Sequence, residues 1–211
     1  MVTFDDALDI YQEESQEDFE RLAALPETLD QGVVKTAFHR LPWLITLLLI
    51  SIPIALVTSL FEETLALVAI LIVFQPLILG SAGNVATQTL AVTLKMFSTN
   101  EKGFLNNAIK EIITGIFNGL VIGLVAFIVT IVFAYLNTSL TENPLLIAFV
   151  VGLSLWLTVI IAPIVAILIP LTLRTLKLDP AVASGPFITT VIDVAALFIY
   201  FGLATLFLGG L

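Results

Sequence analysis

The run Pro186-Phe-Ile-Thr-Thr-Val-Ile-Asp193-Val-Ala-Ala-Leu-Phe-Ile-Tyr200-Phe-Gly-Leu-Ala-Thr-Leu-Phe-Leu208 carries a single charge, at Asp193. It has the length of a membrane span, for which about 20 apolar residues cross a hydrocarbon core of about 30 Å. An ionised side chain at mid-bilayer costs about 2.5–3.5 kcal/mol on insertion scales, so it faces a polar pathway or a partner. Thr189 and Thr190 stand four and three residues before Asp193, which puts all three on one side of a helix, and Tyr200 continues that side a heptad later. Such a stripe marks a lumen or a tight interface. It suits a passing cation, and it also suits a protonated Asp193 bonded to a neighbouring helix, or a proton carrier.

Four further apolar segments lie N-terminal to this one: Trp43–Phe61, Thr64 to about Leu94, roughly Ile112–Leu136, and Leu145–Leu173. The expected fold is therefore an all-α membrane protein with five transmembrane helices per subunit, occupying residues 41–211. Residues 1–40 form a separate acidic arm. In it, Leu8, Tyr11, Phe19, Leu22 and Leu25 are spaced as one helical face, and Val33–Arg40 read as an interfacial helix with Arg40 and Trp43 at the headgroup level. The eight basic residues are Arg21, Lys35, Arg40, Lys95, Lys102, Lys110, Arg174 and Lys177. With five spans they fall in the arm, the second-to-third loop and the fourth-to-fifth loop. Basic residues favour the cytoplasmic side, so the N-terminus is expected inside a plasma membrane and the C-terminus outside.

The second segment is irregular. As one straight helix it would reach about 46 Å, too long for an untilted span. Its centre, Gln75-Pro-Leu-Ile-Leu-Gly-Ser-Ala-Gly-Asn84, holds a proline that frees the Ile72 carbonyl and two glycines that allow unwinding. The expectation is a broken or kinked second helix presenting Ser81, Asn84 and Gln88 on one face, as helices do that offer carbonyls and a helix end to an ion. A proline kink with buried inter-helix hydrogen bonds is the alternative. Gly115, Gly119 and Gly123 in the third segment are read as a close-packing seam, with Asn118 beside it as an inter-helix hydrogen-bond donor. The fourth segment carries Pro163 and Pro170, where kinks are expected, with Ser154 and Thr158 on its path.

Composition narrows the chemistry. The chain is 59% hydrophobic and 12% charged, with no cysteine and one histidine, His39. Thiolate metal sites and disulfides are excluded, no catalytic constellation exists, and the expectation is a non-enzyme with no cofactor. Oxygen donors favour hard cations such as Mg²⁺, Ca²⁺ or Mn²⁺. Ten of the seventeen acids lie between Asp5 and Asp30, a sign that disfavours nucleic acid as a partner. One subunit offers few oxygen-bearing side chains near Asp193, whereas a two-fold dimer supplies a second Asp193. Carboxylates bound to the waters of a hydrated Mg²⁺ would stand roughly 9–10 Å apart.

Two motifs carry a family resemblance. Pro76-Leu-Ile-Leu-Gly-Ser-Ala-Gly-Asn84-Val-Ala-Thr-Gln88-Thr resembles the second transmembrane helix of the MgtE magnesium channels. Leu178-Asp179-Pro-Ala-Val-Ala-Ser-Gly-Pro186-Phe-Ile-Thr-Thr-Val-Ile-Asp193-Val resembles their fourth-to-fifth loop and fifth helix. The match covers about residues 40–208, and the eukaryotic solute-carrier magnesium exchangers are similar. The resemblance implies a homodimer in the bilayer with a pore on the two-fold axis, lined by the second and fifth helices, that moves Mg²⁺ or another divalent cation. Asp193 would match the central pore carboxylate, Thr189 a position lending its backbone carbonyl, and Asp179 an acid at the cytoplasmic mouth. Asn84 falls within the family's second-helix motif. A Na⁺- or H⁺-coupled exchanger is the alternative mechanism. Two positions depart from the pattern: Ala86-Thr87 stand where a second Gly-Asn is common, and Gly185 where an Asn is common. The family's large cytoplasmic sensor does not fit within the forty-residue arm, so regulation is expected to be absent, external, or done by the acidic arm closing over the pore at high Mg²⁺.

Overall fold

A computed structural model describes residues 32–98, 103–136, 143–177, 180 and 185–209, and all the regular structure among them is helical. The helices are α1 (Val33–Ile50), α2 (Ile52–Leu60), α3 (Glu62–Leu67), α4 (Ile70–Ser98), α5 (Phe104–Leu136), α6 (Pro144–Thr175) and α7 (Gly185–Leu208). Five stretches are long and apolar enough to cross a bilayer: Val33–Leu60, Ile70–Phe97, Phe104–Leu136, Pro144–Thr175 and Gly185–Leu208. They correspond one to one with the five expected segments.

The bundle is built around α6, which packs on α4, α5 and α7. Its buried residues, among them Ile147, Val151, Leu155, Val159, Ala162 and Ala166, run along nearly its whole length. Ser154 and Thr158 sit in this core without lining any polar path. Their hydroxyls donate to the Val150 and Ser154 carbonyls at 2.6 and 2.7 Å, which satisfies them inside their own helix.

Helix α5 buries only a stripe of small residues, Gly115, Gly119, Gly123, Ala126, Thr130 and Ala134 among them, and turns bulky aliphatics such as Val121, Val125 and Ile128 outward. Water drives no association between helices in lipid, so close backbone approach supplies the packing. A Cβ on Gly123 would lie 2.8 Å from the Gly152 carbonyl oxygen, and one on Gly152 would lie 2.8 Å from that of Gly123. The seam expected from the glycine spacing is therefore real. Its hydrogen bond, however, does not come from Asn118, which is exposed; Trp156 Nε1 donates across the seam to the Ile116 carbonyl at 3.3 Å.

Three expectations about element boundaries need correction. Helix α4 is uninterrupted from Ile70 to Ser98, with Pro76 inside it, so the second segment is not broken at Gln75–Asn84. The interruption lies earlier, at Val68–Ala69, where Val68 leaves the helical region at φ −129°, ψ 71°. Breaking the segment there shortens the long span without unwinding its middle. The interfacial helix expected at Val33–Arg40 leads straight into the first span and does not end at residue 40: α1 runs to Ile50, because nothing in Phe38-His-Arg-Leu-Pro42 breaks it and Pro42 is tolerated inside it. Helix α5 begins at Phe104, about two turns before the apolar run, since Asn106, Asn107, Lys110 and Glu111 extend it in the polar zone.

Tyr200 explains how the α3–α4 break is held. Its hydroxyl donates to the Leu71 carbonyl at 2.9 Å, in full burial, at the first turn of α4. Thr64 and Thr205 add a hydroxyl–hydroxyl bond of 2.8 Å at the same end of the bundle. Tyr200 is thus a helix-to-helix tie and does not continue a pathway-lining face, a correction to the stripe read from α7.

Candidate ion pathway

Helices α4 and α7 pack directly on each other, and the contact is made possible by glycine. Gly83 is buried against Thr189, whose Cγ2 would be 3.3 Å from a Cβ at that position. Gly185 and Thr87 meet in the same way, at 3.6 Å.

Beside this contact lies a cleft of about 220 Å³. Leu79, Gly80, Gly83, Asn84 and Thr87 line it from α4, and Thr189 and Asp193 line it from α7. The α4 set follows the spacing of a single helical face. Gly80 has open space where a Cβ would stand, and Asn84 is exposed, so the cleft opens to the outside of the subunit.

The hydroxyls in and beside the cleft are already engaged. Thr189 and Thr190 both donate to the Pro186 carbonyl at 2.9 Å. Thr87 reaches the Gly83 and Asn84 carbonyls, each at 3.0 Å. Of the side chains lining the cleft, the Asn84 amide and the Asp193 carboxylate have no partner among the described residues. Among the described residues no donor and no basic side chain pairs with Asp193, and no cluster of three or more His, Cys, Asp or Glu exists to hold a metal. Asp193 is half-buried. The donor set is all oxygen, the chemistry a hard cation takes, but one subunit provides only one charge toward it.

Three of the four sequence-derived site residues, Asn84, Thr189 and Asp193, converge on this cleft; Asp179 lies outside the described residues. Thr190 is buried and does not line the cleft, and neither Ser81 nor Gln88 reaches it. Sequence reasoning missed Gly83 as a packing residue, having read it with Gly80 as a point of unwinding; it noted Thr87 only as a departure from the family pattern, and it missed Leu79. The available signal was the spacing Gly80, Gly83, Thr87 on the face of Asn84, small or hydroxylic throughout.

A family model described as "MgtE: Divalent cation transporter" matches residues 75–203, a range that contains the whole cleft. The magnesium transporter MgtE of Bacillus subtilis is 40% identical over 216 aligned residues, covering 100% of this chain and 46% of that protein. Its counterpart in Enterococcus faecalis is 37% identical, covering 99% of this chain and 45% of that protein. That of Thermus thermophilus is 32% identical, with 99% and 46% covered. The chain therefore spans about half the length of the curated relatives it matches. On the extent of the family match, the chain belongs to the MgtE family of divalent cation transporters.

Proposed function

We propose that this chain moves divalent cations, Mg²⁺ foremost, across the plasma membrane as a homodimer, through a pathway formed where two copies of the α4–α7 cleft face each other. The observation that carries this reading is the Asp193 carboxylate, which lies in a span, has no partner among the described residues and lines a cleft open on the side away from the core. Two anionic carboxylates brought together repel unless a proton or a cation lies between them. A hydrated Mg²⁺ between them leaves each carboxylate in contact with its water shell, so the pathway selects by hydrated size and does not strip the ion. Asn84 offers further hydrogen bonds to that shell, and the Thr189 carbonyl is the backbone oxygen nearest in role. The relatives named as magnesium transporters support the choice of ion.

In this reading the N-terminus is cytoplasmic, and Asp179 meets the ion at the cytoplasmic mouth. Flux into liposomes, run with a panel of Mg²⁺, Mn²⁺ and Co²⁺ and with or without a Na⁺ gradient, tests it. Mg²⁺ flux alone, lost in Asp193→Asn, is the expected result. Undiminished flux in that variant discards the site, while strict dependence on Na⁺ replaces the channel with an exchanger.

A further inference from the structure

On the opposite flank of α7 the bundle has a gap. Helix α1 touches α7 and contains no buried residue, and between it and α6 lies an apolar groove of about 400 Å³. Trp43 and Ile50 line it from α1, Leu168, Thr172 and Leu173 from α6, and Phe187 from α7. Trp43 to Ile50 is seven residues, about 10 Å of helix, so the groove is elongated along the span. Thr172 contributes no free donor, because its hydroxyl bonds the Leu168 carbonyl at 2.7 Å.

The charges sit at one end. His39 and Arg40 lie four and three residues before Trp43, one turn up the same face of α1. Lys177 follows Leu173 by four residues and closes α6 in the left-handed region, with φ 59°. Arg40 and Lys177 are exposed, and neither pairs with an acid among the described residues. The described acids are Glu62 and Glu63, Glu111, and Asp193, none of which lines the groove. An interfacial tryptophan and two unpaired cations above an apolar slot match an anionic phospholipid, with its chain in the slot and its phosphate at the basic rim.

We propose that the α1–α6 groove is a binding site for an anionic phospholipid, which fills the gap and ties α1 to the rest of the bundle. A slot of this kind inside hydrocarbon has no hydrogen-bonding partners for water and remains apolar, and lipid is the component present at that depth. The site lies apart from the Asp193 cleft, so it stands or falls independently of the transport reading.

Trp43 is the reporter. The full chain carrying Trp156→Phe is reconstituted in vesicles containing either brominated phosphatidylglycerol or brominated phosphatidylcholine, and quenching of Trp43 fluorescence is measured. Preferential quenching by the anionic lipid is expected, with the preference falling about five-fold for each charge removed in Arg40→Gln and Lys177→Gln, and falling also as salt rises. Retention of phosphatidylglycerol by the unaltered chain in native mass spectrometry, and its loss in the double variant, gives the same answer without touching Trp156. Equal quenching by the two lipids, or a preference indifferent to both substitutions, overturns the proposal. So does a groove that becomes accessible to lipid only when residues 1–30 are deleted, which would assign it to the acidic arm.

Discussion

Asp193 and Gly83 do different jobs within one cleft, and substitutions separate them. Asp193→Asn keeps shape and removes charge, so folding and association are expected to persist while Mg²⁺ flux falls at least about tenfold, the equivalent of about 1.4 kcal/mol in a barrier; flux in liposomes reads it. Gly80→Ala and Gly83→Ala gain similar helix propensity, up to about 1 kcal/mol. Only Gly83 has a neighbour, Thr189, at 3.3 Å, while Gly80 has open space. The melting temperature of Gly83→Ala in detergent is therefore expected below that of Gly80→Ala. Equal values would show that the α4–α7 contact yields without strain. Tyr200→Phe removes the donor to a fully buried carbonyl. A loss of about 0.5–1.5 kcal/mol is expected for the one hydrogen bond removed, since the Leu71 carbonyl keeps its place in the helix ladder, with transport per folded molecule unchanged, because Tyr200 lies away from the cleft.

Among the elements, α5 and α6 are joined by backbone contact and α1 is barely joined at all. Gly123→Ala places a Cβ 2.8 Å from the Gly152 carbonyl oxygen, a backbone atom that cannot rotate away. Overpacking of this kind costs about 1–3 kcal/mol. Gly202→Ala, on α7 with nothing within reach, is the matched control. Thermal unfolding of the two variants in detergent should rank Gly123→Ala well below Gly202→Ala, and similar transitions would mean that α5 can slide on α6. The Val68–Ala69 break has a further consequence at this scale. It places the start of α4 at Ile70, so that the Leu71 carbonyl bonded by Tyr200 lies in the first turn of α4.

For the molecule as a whole, the incomplete donor set predicts a dimer. Light scattering of purified protein, corrected for detergent, is expected to give twice the 22.8 kDa chain mass. A monomer retaining full flux would remove the shared pathway. The acidic arm, whose residues 1–31 lie outside the described residues, concentrates like charges that repel one another and that a divalent ion relieves. Deleting residues 1–30 is expected to abolish inhibition of flux by Mg²⁺ on the side of the arm; inhibition that survives the deletion assigns regulation elsewhere.

Much of this architecture was legible in the chain because insertion into a bilayer is decided segment by segment. Transfer free energy adds along each apolar run, so Pro186–Leu208 and its four predecessors declared themselves, and an ionisable Asp193 within one of them stood out. Asn84 and Thr189 were legible through the family's motifs. The helix break was misplaced because proline and glycine signal the capacity to bend, whereas bending at Val68–Ala69 depends on partners more than a hundred residues away, Tyr200 among them. The same holds for Gly83: its spacing allows either unwinding or close approach, and only the Thr189 methyl across the α4–α7 contact selects between them. By itself the sequence determined how many of its segments are long and apolar enough to cross a membrane and where its half-buried carboxyl lies, both properties of local composition. Which faces meet, which hydroxyls are already spent, and that Asp193 opens outward with no partner among the described residues were decided by tertiary packing, since those depend on contacts between residues far apart in the chain.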